Sequence, residues 1–139
     1  MKQILLTLIL LLFSSGITLS AQGKFDKEKI HAEMCNYIKE ETKLSHEEAT
    51  AFFALYDAMK EKQRSLFNQK KALAKQQPTT DAACRTAIVK QDQLQREIQS
   101  IEANYHKEMM KVVSPAKVYK ALEAERRFMR STFKRAAKR

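Results

Sequence analysis

From Ser45 to Val113 the apolar positions step by three and four residues. Ala49, Phe52, Phe53, Tyr56, Met59, Leu66, Phe67 and Leu73 form one series. Cys84, Ala87, Ile88, Leu94, Ile98, Ile101, Tyr105, Met109 and Val112 form a second. Such spacing puts each series on one stripe of an α-helix. Between them, Gln76-Gln77-Pro78-Thr79-Thr80 breaks a run of strong helix formers, because proline cannot sustain a helix and threonine caps one. The pattern predicts two long helices, from His46 to about Gln76 and from about Asp81 to Val112. The short break folds them back on each other as an antiparallel hairpin. At 1.5 Å of rise per residue, each arm is about 45 Å long.

The flanks add a helix on either side. Phe25-Asp26 predicts a helix start with Asp26 as N-cap and Phe25 stapled to Ile30, after a short disordered lead at Gln22 to Lys24. This helix continues to about Thr42, with Ile30, Ala32, Met34, Tyr37 and Ile38 facing inward. Leu44-Ser45-His46-Glu47-Glu48 then carries a full capping box: Ser45 caps, Glu48 reciprocates, and Leu44 faces Ala49. Val113-Ser114-Pro115-Ala116-Lys117 repeats the device, with Ser114 as cap, Pro115 at the first helical position and Val113 against Val118. Lys117 stands where a capping box needs Glu or Gln, so this second cap is expected to be weaker. A last helix runs from Pro115 to about Arg135, with Val118, Leu122, Phe128 or Met129, and Phe133 on one stripe. Gly and Pro each occur only twice, and no period-two segment is present. The expectation is an all-α chain of four helices, short, long, long and medium.

The first 21 residues read as an address. Lys2 precedes the apolar run Ile4 to Phe13, followed by Ser14-Ser15-Gly16 and Leu19-Ser20-Ala21. A charged start, an apolar stretch and a small-residue cleavage site form a secretory signal peptide, whereas the run is short for a membrane span. Residues 22–139 then form a single exported domain, expected in the periplasm.

Charge narrows the partners. Lys and Arg number 26 against 16 Asp and Glu, a net charge of +10. Beyond Glu125 no acid occurs, while Arg126, Arg127, Arg130, Lys134, Arg135, Lys138 and Arg139 follow. Such a field attracts acidic protein segments or an anionic membrane surface, or simply complements a helix dipole. Export argues against nucleic acid. Arg126, Arg127 and Arg130 are the candidate partner-binding residues. Cys35 and Cys84 could form one disulfide in an oxidising compartment, stabilising by up to about 4 kcal/mol, or remain as buried thiols or bond another chain.

The paired helix starts, Leu44-Ser45-x-x-Glu48 before the first long helix and Val113-Ser114-x-x-Lys117 after the second, resemble the Leu-Thr-x-x-Gln motifs of the periplasmic Spy/CpxP family. Signal peptide, hairpin size, motif placement and basic charge strengthen the resemblance, which covers essentially the whole chain after residue 21. The Ser, Glu48 and Lys117 departures mark a divergent branch. The resemblance implies a helical hairpin with a short N-terminal and a medium C-terminal helix packed on it, often assembled as a cradle-shaped homodimer. It also implies an ATP-independent chaperone or envelope-stress protein that holds unfolded or partner proteins. Alternatives within the family are a metal-responsive sensor or scavenger, and a regulatory partner of a sensor kinase or anti-sigma factor.

Enzymatic chemistry finds no support, since His31, His46 and His106 fall in different helices and no glycine-rich loop exists to cradle phosphates. No cofactor is implied. His31 with Cys35, and His106 with Met110, share helical faces at i, i+4 and are weak candidate ligands for copper or zinc.

Overall fold

A computed structural model describes the backbone of residues 18–138 and the side chains from residue 26 onward. The leader read at residues 1–21 thus falls largely outside the described residues, as does the Phe25 half of the expected staple. Four α-helices follow one another: α1 (Thr18–Thr42), α2 (His46–Ala74), α3 (Asp81–Val112) and α4 (Pro115–Ala136). No strand occurs among the described residues. The chain divides into two compact units, Met1–Tyr37 and Ile38–Arg139, with the boundary inside α1.

In the first unit α1 begins at Thr18, not at Asp26. Gln22 to Lys24 are helical, so neither the expected lead nor the Asp26 cap exists. One isolated glycine, Gly23, costs a helix only about 1 kcal/mol, and no proline stops it. Met34 is buried, whereas Ile30 and Ala32 are exposed rather than inward.

In the second unit α1 ends in a left-handed turn. Lys43 adopts φ 54° and donates its amide to the Lys39 carbonyl at 3.0 Å, closing the last helical turn. Ser45 then caps α2 as expected: its hydroxyl accepts from the Glu48 amide at 3.1 Å, and the Glu48 carboxylate accepts from the Ser45 amide at 2.9 Å. The α2 helix stops at Ala74, two residues before the expected point. Thr80 caps α3 by accepting from the Ala83 amide at 3.2 Å.

α2 and α3 pack side by side with opposite directions. Lys70 meets Gln95, and Gln63 meets both Ile98 and Glu102, so the partner number falls as the first rises. α4 instead runs with α2: Lys117 meets Glu48 and Glu125 meets Tyr56, 69 residues apart in both cases. Its buried residues are Val118, Ala121, Ala124 and Phe128. Ala121 and Ala124 are fully buried as well, although neither belongs to the apolar stripe expected of this helix. Phe133, expected inward, is 67% exposed, and Leu122 and Met129 are half-buried.

The core gathers Ile38, Phe52, Met59, Leu94, Ile98 and Met109, each at most 2% exposed. Phe52, Phe53 and Tyr56 stack along α2, Phe52 and Phe53 edge-on at 5.3 Å. Burial on α2 stops at Gln63, and on α3 it begins at Leu94. Between these points no further helix covers the pair among the described residues, and Phe67, Ile88 and Val89 stay exposed. Val112 is exposed as well, and the adjoining cap residue Val113 takes the buried place beside the buried Val118.

Candidate functional site

The two capped helix starts come together. Ser114 caps α4 by accepting from the Lys117 amide at 3.4 Å, a long bond consistent with a weaker cap. The Lys117 ammonium reaches across to the Glu48 carboxylate at 2.6 Å. Each residue occupies the third position of its own helix, so the acid and the lysine that depart from the motif pattern compensate each other. Glu48 links the two helix starts: one carboxylate oxygen accepts the Ser45 amide and the Lys117 ammonium together. The Lys117 hydrogen bond, followed by that from the Ser45 amide, holds the Glu48 carboxyl below the usual carboxylate range.

About two turns further along, the same helix pair is joined again. Tyr56 Oη donates to Glu125 Oε1 at 2.6 Å, the Lys60 ammonium lies 3.0 Å from the same oxygen, and Lys60 sits 5.0 Å above the Tyr56 ring. Gln63 follows, fully buried between α2 and α3. Its Nε2 donates to the Ile98 carbonyl at 3.3 Å and to Glu102 at 3.2 Å, and its Oε1 has no partner among the described residues. Sequence reading missed all three junctions, since they join residues 35 to 69 positions apart. The one available signal was the opposite charge of Glu48 and Lys117 at equivalent cap positions.

Where α4 leaves the α2–α3 pair, a groove of about 570 Å³ opens. Met59, Leu122, Met129 and Phe133 line it, with Lys60, Arg126 and Arg130 on its charged margin and His106 and Glu102 on α3. Of the three arginines singled out by sequence, Arg126 pairs with Glu123 one turn back, and Arg127 meets Glu41 at 2.7 Å. Arg130 is exposed and meets no carboxylate among the described residues.

The remaining candidates do not converge. In the first unit the Cys35 thiol lies 3.9 Å from both ring nitrogens of His31. His106 lines the groove, Met110 is 43% exposed, and Met109 beside it is fully buried core. No set of three or more His, Cys, Asp or Glu gathers as a metal site among the described residues. No disulfide joins Cys35 to Cys84 among the described residues, and both side chains are half-buried. Each has a local contact instead: Cys84 donates to the Pro78 carbonyl at 3.4 Å in the hairpin turn, and Cys35 meets His31. Compared with protein-family models, curated proteins and solved structures, the chain matches none.

Proposed function

We propose that this chain is an exported, ATP-independent holding protein of the cell envelope, related to the Spy/CpxP family, that binds unfolded or partner proteins. The observation that carries this reading is the joining of the two motif-bearing helix starts by Glu48 and Lys117 at 2.6 Å. Two sequence motifs 69 residues apart that meet through equivalent positions act as one structural device, which supports the reading. The surface supplies the means of binding. Phe67, Ile88, Val89 and Phe133 are exposed apolar side chains, and the chain carries ten net positive charges to draw acidic segments toward them. Lysine and arginine stems add apolar contact while their charges stay in water. Residues 1–21 act as the secretory leader, and a homodimer or an anionic membrane surface is compatible with the same charge.

The test is light scattering from an aggregating unfolded client, with and without this protein, at two salt concentrations. The expected result is suppression at or below equimolar protein without ATP, weaker at high salt and weaker again for the Phe67→Glu/Ile88→Glu double variant. Unchanged scattering at every ratio overturns the holding role. Cell fractionation, with N-terminal sequencing of the recovered protein, tests export: a new terminus near Gln22 is expected, and an intact Met1 in the cytoplasm contradicts it.

A further inference from the structure

The groove beside α4 combines an apolar floor with a cation, Arg130, that has no partner among the described residues. Met59, Leu122, Met129 and Phe133 supply its apolar walls. Met59 closes the floor from the core, and the half-buried Met129 offers a flexible thioether that moulds to chains of varied shape. A volume of about 570 Å³ lies within the range of small-molecule sites.

The charged lining is largely spoken for. Glu125 is compensated by Lys60 and the Tyr56 hydroxyl, Glu102 accepts from Gln63, and Arg126 holds Glu123. Arg130 alone among the charged lining residues has no partner among those described. Its planar guanidinium suits two-pronged recognition of one carboxylate or phosphate. An extended polypeptide entering this groove would need donors and acceptors for its own backbone, and most of the lining's polar groups already have partners. An alkyl chain needs none.

We propose that this groove binds a single-chain aliphatic anion, the chain lying on Leu122, Met129 and Phe133 and the anionic head on the Arg130 guanidinium. The head is a carboxylate or a phosphate monoester. A fatty acid and a lipid-derived phosphate present the same chemistry. This site is independent of the holding role: either stands if the other fails.

The chain has no tryptophan, so Phe133→Trp in the full chain places a single reporter at the groove. Dodecanoate, dodecyl phosphate and uncharged dodecanol are titrated below their aggregation or solubility limits. A saturable blue shift with either anion, about tenfold weaker for dodecanol and for the added Arg130→Gln change, is the expected result. Tighter binding of dodecanoate identifies a fatty acid as the source, and tighter binding of dodecyl phosphate identifies a lipid phosphate. Arg130 is exposed, so its replacement leaves the fold intact, which circular dichroism checks. Calorimetry on the chain with Phe133 retained, compared with Arg130→Gln alone, guards against damage by the reporter, since any binding to the apolar leader is common to both. The proposal is overturned if neither method detects binding, if dodecanol binds equally well, or if Arg130→Gln leaves the affinity unchanged. A response to an acidic, phenylalanine-containing peptide but not to the alkyl anions assigns the groove to polypeptide instead.

Discussion

Gln63 is the best place to weigh a buried polar group against its alternatives. It is fully buried, yet its Oε1 has no partner among the described residues and its two hydrogen bonds are long, at 3.3 and 3.2 Å. The bond to the Ile98 carbonyl contributes about 0.5–1.5 kcal/mol, and that to the half-buried Glu102 a similar amount once solvent competition is counted. The orphaned oxygen costs about 1–3 kcal/mol. The two sides nearly cancel. Gln63→Met keeps the side-chain length, removes the orphan and adds about 1 kcal/mol of apolar burial. Glu102, only partly buried, turns to water for the donor it loses. The expected outcome is stabilisation by about 1 kcal/mol, seen as a rise in melting temperature of about 4 °C by circular dichroism at 222 nm, and as a higher urea midpoint with an unchanged slope. Gln63→Ala, which leaves a cavity, is expected to lose about 2 kcal/mol in the same assay. If Gln63→Met instead loses more than about 1 kcal/mol, a bound water satisfies Oε1 and the polar network is net stabilising.

Two further predictions concern the helix ends. The depressed Glu48 pKa means that the folded state favours the carboxylate, so its contribution is fully present above the ordinary glutamate value, about 4.3, and is lost as pH falls through the folded value. Melting temperature measured from pH 7 to pH 3 should fall less steeply for Glu48→Gln than for the natural chain, and an identical profile would show that the Lys117 contact is unimportant. At Lys43, where φ is 54°, Lys43→Gly removes a left-handed strain of about 1 kcal/mol against some loss of unfolded-state stiffness. A gain of about 0.5 kcal/mol in urea unfolding is expected, and a loss would show that the lysine side chain holds the turn.

Helix type and most boundaries were legible because they are local. His46, Asp81 and Pro115 begin helices where capping residues and proline predict, and Val112 ends one where the apolar series does. α1 begins before Asp26, a residue type that favours caps, because no proline between Thr18 and Asp26 breaks the helix. Inward faces were less legible. Periodicity marks Phe67, Ile88 and Phe133 as core candidates, but whether a stripe is covered depends on where a third helix reaches, which no local pattern encodes. Of the candidate site, the motif positions were visible and their meeting was not. The contact of the Cys84 thiol with the Pro78 carbonyl likewise depends on how the turn closes, which spacing along the chain does not fix.

The meeting of Glu48 with Lys117 also bears on the order of folding. It closes a loop of 69 residues, whereas Lys70 and Gln95 close one of 25. On the logarithmic law of chain closure the longer loop costs about 0.9 kcal/mol more, before any contact rewards it. The hairpin therefore has the cheaper nucleus, and α4 docks onto a pair of helices already formed. Substitutions at Glu48 or Lys117 should accelerate unfolding and leave the folding rate almost unchanged, whereas changes at Leu94 or Ile98 should slow folding itself. The contact that joins the two helix starts would then set how long the folded chain lasts, not how fast it forms.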